Sequence, residues 1–189
     1  MYKLIKLKDT VRVPPNMFGV PLKNSIHKIL VEKYEGLLDK DIGYILTIDE
    51  VEEVGEGKIT YGDGAAYHET VFSAITYIPE LYEVVEGEVV DVVDFGVFVR
   101  LGPLDGLIHI SQIMDDYVVY DPKREAIIGK ETGKVIERGD RVRARIVAVS
   151  LKEFKRRGSK IALTMRQNGL GKLEWIEEEK NKNKNQKNN

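Results

Sequence analysis

The 189-residue chain contains no cysteine. That absence excludes disulfides, thiolate-bound zinc and thiol nucleophiles. Histidine is scarce as well: His27, His68 and His109 lie far apart, and no two stand at metal-ligand spacing. No apolar run reaches the roughly 18 residues that a membrane span needs. The opening Met1-Tyr2-Lys3-Leu4-Ile5-Lys6 alternates polar and apolar residues, so it reads as a strand and not as a signal peptide. A cytoplasmic protein with no membrane partner is therefore expected. Neither a Gly-x-x-x-x-Gly-Lys phosphate loop nor a Gly-x-Ser-x-Gly elbow occurs. The acidic pair Asp115-Asp116 has no third carboxylate at a useful spacing and reads as a solvated loop.

What is present is an ordinary globular composition, with 42% hydrophobic and 32% charged residues. Net charge is −2, so the chain as a whole is no basic nucleic-acid binder. The distribution is uneven. Residues 1–80 carry 9 Lys/Arg against 13 Asp/Glu, and residues 81–137 carry 5 against 12. Residues 138–166 reverse this, with 10 basic residues against 2 acidic. Such a block is either a solvated strand face paired with the acidic strands before it or a phosphate-binding surface.

The chain reads as two folded parts and a tail. Tyr2–Val13 is strand-like and ends at Pro14-Pro15, which remove two backbone donors. Asn16-Met17-Phe18-Gly19 is a turn, and Pro21 opens a helix. Leu22, Ile26, Ile29, Leu30 and Leu37 form its apolar stripe. Strands follow at Gly43–Val54, Lys58–Tyr61 and Ala65–Ile78, with Gly55-Glu56-Gly57 as a tight hairpin and Gly62-Asp63-Gly64 as a second turn. Residues 1–80 are thus expected to form an α+β domain, one helix on a small antiparallel sheet. Residues 81–170 read as an all-β OB-fold barrel. Its five strands are Leu81–Val93, with Gly87 as a bend or bulge, Phe95–Leu101, Gly106–Ile110, Arg141–Leu151 and Lys160–Met165. Residues 115–134 are a polar insertion. In residues 171–189, Glu174–Glu177 is a short helix, and Asn181–Asn189 is too polar to order itself.

The most informative residues are Asp94-Phe95-Gly96-Val97-Phe98-Val99-Arg100 and Gly106-Leu107-Ile108-His109-Ile110-Ser111. Alternate strand residues share a face. With Val97 and Val99 inside, Phe98 and Arg100 point outward, and His109 takes the polar face of the next strand. Gly96 leaves the Phe95 ring uncovered. Two rings, an imidazole and a guanidinium on adjacent strands make a stacking platform. Arg141, Arg143 and Arg145 alternate with apolar residues on another outer face. Lys155-Arg156-Arg157-Gly158-Ser159-Lys160 is a basic turn beside the platform, suited to phosphate. Taken singly, each aromatic residue could equally be core, and the Arg141 face could be a solubilising surface.

The Phe-Gly-x-Phe-Val and Gly-Leu-x-His-x-Ser pattern resembles the RNA-binding barrel repeated in the largest protein of the small ribosomal subunit, the S1 motif. That resemblance implies that Phe95, Phe98 and His109 face nucleic acid. One departure is Ser150, where that family commonly ends the fourth strand with Asp; it points to weaker or less specific RNA binding. Lys160 keeps the basic residue that opens the fifth strand. Over residues 1–176 the chain also resembles the E-prime subunit family of archaeal RNA polymerase, counterpart of the seventh-largest subunit of eukaryotic polymerase II. Val11-Arg12-Val13-Pro14-Pro15, Phe18-Gly19, Tyr61-Gly62-Asp63-Gly64, the barrel, Leu163-Thr164-Met165-Arg166-Gln167 and Gly169-Leu170-Gly171 carry this likeness.

The resemblance implies a truncated ribonucleoprotein-like domain that docks on the polymerase core through Pro14, Pro15, Phe18, Gly19, Gly62, Asp63 and Gly64. It further implies a heterodimer with the small helical F subunit, forming a stalk near the RNA exit channel. The barrel would contact single-stranded nascent RNA through Phe95, Phe98, Arg100, His109, Lys155, Arg156, Arg157 and Lys160. The stalk would support promoter opening and processivity. Nucleotidyl transfer needs clustered carboxylates holding two metals. The sequence offers none, so no catalytic residue, metal or cofactor is expected. The competing reading is a free-standing OB-fold RNA-binding factor of translation or RNA decay; an RNA-processing enzyme would need a metal site.

Overall fold

In the computed structural model, residues 1–151 and 160–187 are described, with side chains to residue 182. Two compact units divide at Ile78/Pro79.

The first unit contains β1 (Tyr2–Val13), a 3₁₀ turn (Pro15–Met17), α1 (Leu22–Tyr34), β2 (Leu38–Asp39), β3 (Gly43–Val54), β4 (Lys58–Ile59) and β5 (Ala66–Tyr77). Strand β5 is central: β1 lies antiparallel along one side, and β3 and β4 lie along the other. Helix α1 buries Ile26 and Leu30 against Val13, Ile45, Phe72 and Ala74, closing an apolar core under the sheet. Leu22 departs from the expected stripe; it stands at the first helical position and is exposed. Leu37 lies beyond the end of the helix.

Gly55-Glu56-Gly57 does not form the expected hairpin. β3 and β4 do not pair with each other; both pair with β5, and the Gly55 N–H donates to the Glu69 carbonyl at 2.7 Å. The small residue is needed for another reason. A Cβ on Gly57 would sit 2.7 Å from Cε1 of the buried His68 ring.

The second unit contains β6 (Val84–Val93), β7 (Gly96–Arg100), β8 (Asp105–His109), a 3₁₀ turn (Ile110–Gln112), β9 (Val118–Asp121), β10 (Ala126–Gly129), β11 (Val135–Glu137), β12 (Arg141–Ser150), β13 (Lys160–Thr164), β14 (Gly171–Lys172) and α2 (Leu173–Lys187). β13, β8, β7, β6 and β12 pair in that order, and β12 pairs back onto β13. The five strands therefore close an OB-type barrel, with β8 and β13 parallel and the other pairs antiparallel. Val89, Val97, Val99, Ile108, Ile146 and Leu163 fill it.

Three expectations change here. The register shift in β6 falls between Val89 and Asp91, not at Gly87. Gly87 instead permits close packing, since a Cβ there would lie 2.4 Å from the Arg100 carbonyl oxygen. The polar insertion is no bare loop: β9, β10 and β11 form their own antiparallel sheet over buried Ile127 and Ile136. Asp116 ties down its far turn, accepting from the Thr132 N–H at 2.9 Å and the Thr132 hydroxyl at 2.7 Å. Finally, α2 does not stop near Glu177 but runs to Lys187. Once Ile176 is buried and the Lys172 ammonium is held by Asp140 and Glu174, each further residue adds one backbone bond at little cost. The expected disorder of the tail is corrected to that extent.

Candidate nucleic-acid interface

The barrel wall formed by β7, β8 and β13 carries the expected platform. Alternation places Val97 and Val99 fully inside and turns Phe98 and Arg100 outward. Phe95, just before β7, is 47% exposed. Its ring meets that of Phe98 edge to face, with centroids 6.1 Å apart at 87°. This is a favourable quadrupolar arrangement that leaves ring faces open. Register sets Phe98 opposite Leu107 and Gly96 opposite His109. Because β8 and β13 run parallel with Leu107 beside Ala162, Lys160 enters on the same wall as Asp105. Phe95, Phe98, Asp105, Leu107, Lys160 and Ala162 line an open groove of about 430 Å³.

Gly96 makes this wall possible. A Cβ there would lie 2.1 Å from the Ile108 carbonyl oxygen, so only glycine lets β7 approach β8 this closely. It also leaves a space beside His109, which is exposed. The Ser111 backbone N–H donates to His109 Nδ1 at 3.3 Å, and the Ser111 hydroxyl lies 2.8 Å from the same atom. Nδ1 is thus an acceptor, which assigns the ring proton to Nε2 and turns a donor toward solvent. Arg100 is exposed, and its Nε donates to Asp105 at 3.3 Å. The groove therefore has an apolar floor, one carboxylate partly neutralised by Arg100, and the cation of Lys160 at its mouth. Aromatic faces beside cations fit single-stranded nucleic acid, whose bases all present a π-face.

The basic block of residues 138–166 does not form one surface. Arg143 donates to Glu86 through Nε at 2.9 Å and Nη2 at 2.7 Å, and Arg141 lies 3.9 Å from the same carboxylate. These two belong to the β6–β12 wall and follow the solvated, ion-paired reading. Lys155, Arg156 and Arg157 fall outside the described residues. Sequence reasoning missed Arg166, whose guanidinium donates to the Ser111 carbonyl and to Asp115, beside His109. Its only sequence signal was membership of the closing Leu163–Gln167 segment. It missed Leu107 and Asp105 too, which the β7–β8 pairing sets opposite Phe98 and Arg100, and Ala162, which arrives through the non-local β8–β13 pairing.

The expected docking residues gather at one end of the first unit. The Pro14–Phe18 turn lies against the Gly62-Asp63-Gly64 turn, with an added Gly64 Cβ only 3.5 Å from Pro15. Asp63 holds this end together. It accepts both Arg12 Nε and Nη2 at 2.8 Å, the Tyr67 hydroxyl at 2.7 Å and the Ala65 N–H at 3.2 Å. The Arg12 guanidinium, and after it the Tyr67 hydroxyl, hold the Asp63 carboxyl well below the usual carboxylate range. Gly19 has no neighbour crowding it, and Phe18, Ile59 and Tyr61 are exposed around this knot.

A folded-state pKa below the unfolded value of about 3.9 has a definite sign. The stabilisation is complete above about pH 4 and is lost as pH falls through the depressed value. Asp63→Asn is therefore expected to destabilise the chain by a constant amount between pH 5 and 8. The gap from the parent should shrink in urea unfolding at about pH 3 and below.

Among the described residues, no group of three or more His, Cys, Asp or Glu could hold a metal ion, and no helix is long and apolar enough to cross a membrane.

Residues 8–64 match the SHS2 domain found in the N terminus of Rpb7p/Rpc25p/MJ0397, and residues 78–161 match the S1 RNA binding domain. The DNA-directed RNA polymerase subunit Rpo7 of Saccharolobus shibatae is 52% identical over 180 residues, covering 95% of this chain and 99% of that one. The DNA-directed RNA polymerase III subunit RPC8 of Saccharomyces cerevisiae is 29% identical over 150 residues, 77% of this chain and 71% of that one. Ribonuclease R of Vibrio cholerae is 44% identical over 71 residues, only 36% of this chain and 9% of that one. With both domains matched in order and half of all positions shared across nearly its whole length, the chain belongs to the Rpo7 family of DNA-directed RNA polymerase subunits.

Proposed function

We propose that the chain is a non-catalytic stalk subunit of a DNA-directed RNA polymerase that binds emerging transcript through its barrel. The observation that carries the reading is the groove on the β7–β8–β13 wall. It offers two edge-to-face rings and the Lys160 cation, and exposed His109 stands two residues beyond Leu107 on the same strand. Phe95, Phe98 and His109 stack or hydrogen-bond bases. Arg100, Lys160, Lys155, Arg156 and Arg157 contact phosphates and supply affinity without sequence readout.

The first unit docks on the polymerase core through the end built from Pro14, Pro15, Phe18, Gly19, Gly62, Asp63 and Gly64. Exposed Phe18, Ile59 and Tyr61 supply apolar area there, and the Arg12–Asp63–Tyr67 knot keeps that end rigid. A small helical F subunit pairs with the chain to complete the stalk, which supports promoter opening and processivity. The free-standing alternative is disfavoured by extent: the Ribonuclease R likeness stops at the barrel, whereas the polymerase-subunit likeness runs through both units.

Co-purification tests the reading. A tagged chain expressed in its own cells is expected to return with a small helical partner and the large polymerase subunits. Recovery alone, as a monomer, would refute the stalk assignment. RNA binding is expected to weaken with salt, and Lys160→Gln to lower the slope of log affinity against log salt by about 0.7 for a single strand. An unchanged slope would remove Lys160 from the phosphate path.

A further inference from the structure

The insertion sheet carries an aromatic–cation pair that the groove does not use. Tyr117 is 68% exposed, and Lys130 Nζ lies 4.7 Å from its ring centroid. The Lys130 N–H donates to the Tyr117 carbonyl at 2.9 Å, so the two residues face each other just before β9 and just after β10. Asp115, Tyr117 and Val119 are all exposed. Ile128, opposite Val119, and Val135, opposite Ile128, continue the Val119 face in a half-buried apolar row. The core under the sheet is built from Ile127 and Ile136 and makes no use of the Tyr117 ring.

A chain of hydrogen bonds runs from the platform's His109 toward this face. His109 is bound to Ser111, and Arg166 donates from Nη1 to the Ser111 carbonyl at 3.3 Å and from Nη2 to Asp115. Tyr117 lies two residues beyond Asp115 along the chain and is exposed as well. Arg166 pairs with Asp115, and Asp116 is engaged by the Glu131 N–H and by Thr132, so both carboxylates between His109 and Tyr117 have partners. We propose that the Tyr117 ring, with Lys130 across from it, is a second base-stacking station for single-stranded RNA leaving the Phe95–Phe98 groove. The inference rests on the RNA-binding reading above and extends it from a groove to a track. Lys130 polarises one side of the ring, the open side takes a base, and Arg166 and Lys130 face the phosphates on either side of it.

The test uses the full chain and RNA carrying 4-thiouridine, with cross-linked peptides mapped after irradiation. Cross-links are expected both around Phe95–Phe98 and at the peptide containing Tyr117. Cross-links at the groove alone would overturn the second station and leave the groove reading standing. Cross-links at neither would overturn both.

Affinities give the second arm, with an RNA of about 4 nucleotides and one of about 12, which bracket the site sizes of OB folds. Tyr117→Ala is expected to weaken the longer RNA by about 5- to 100-fold and leave the shorter one unchanged. Tyr117→Phe, which keeps the ring, should bind both like the parent. Equal binding of the longer RNA by Tyr117→Ala and the parent would overturn the proposal. So would a loss of equal size for Tyr117→Phe, which would mark the residue as structural.

Discussion

Replacing Phe95 and Phe98 together by alanine is expected to weaken binding of single-stranded RNA by at least about tenfold, and by up to several hundredfold. Each stacked base contributes roughly 1–3 kcal/mol by alanine substitution, and two rings in contact do not act independently. The rings touch edge to face, so removing either frees the other to turn. The single variants should therefore each cost a large share of the double. Fluorescence anisotropy with a labelled RNA checks this, alongside a thermal melt, because half-buried Phe98 contributes some packing on the barrel wall. Co-purification with the polymerase should be unchanged, since the residues proposed to dock lie in the other unit. Parental affinity in the double variant would remove the platform from the binding face.

The second large effect is expected at Gly96. An alanine Cβ would fall 2.1 Å from the Ile108 carbonyl oxygen, a backbone atom that cannot turn aside as a side chain would. β7 and β8 must separate, weakening the ladder that sets Phe98 opposite Leu107 and Gly96 opposite His109. Overpacking of this kind costs about 1–3 kcal/mol and more where the obstacle is rigid. A domain of this size loses roughly 4–8 °C of melting temperature per kcal/mol. Gly96→Ala should therefore lower the barrel's melting transition by several degrees and reduce RNA affinity together. Serine at the same position should behave alike, because the clash is with the Cβ and not with the side chain's polarity. A melt and an affinity both equal to the parent would contradict the close β7–β8 approach.

Much of this site was legible along the chain because a closed barrel imposes a strict inside and outside. Val97 and Val99 had to point inward, so Phe98 and Arg100 had to point outward, and both expectations hold. The Phe-Gly-x-Phe-Val strand stated its own geometry. What the sequence concealed depends on pairing between distant residues. Ala162 joins Phe98 only because β13 runs parallel to β8, a non-local choice that no local pattern encodes; Lys160 was expected there through the S1 resemblance. Whether the Arg143 face meets phosphate or solvent was open along the chain, and only its register sets it beside Glu86. The insertion hid its sheet because strands of three or four residues are too short to show a period, and only Ile127 and Ile136 mark the buried side. Gly55-Glu56-Gly57 misled for the opposite reason. Its composition suits a hairpin, yet β5 is long enough to hold β3 and β4 end to end, and Gly57 is small to make room for His68.

The N-terminal end and the barrel wall use the same physical device for different ends. Each fixes the groups beside its exposed rings, so less conformational entropy is lost on binding. At the first unit the Arg12–Asp63–Tyr67 knot fixes the turn that carries Tyr61. On the barrel, the Ser111 contacts fix the His109 imidazole and Phe95 fixes Phe98. Such preorganisation would serve the proposed docking and RNA-binding roles alike.

Backbone amide shifts in the labelled full chain, followed by NMR as single-stranded RNA is added, test transcript binding by the barrel face most directly. The account predicts the largest changes at Phe95–Arg100, Asp105–Ser111 and Lys160–Ala162, with residues 1–78 nearly silent. Changes confined to residues 1–78 or to the Arg141–Arg145 wall, with those three segments unmoved, would contradict it.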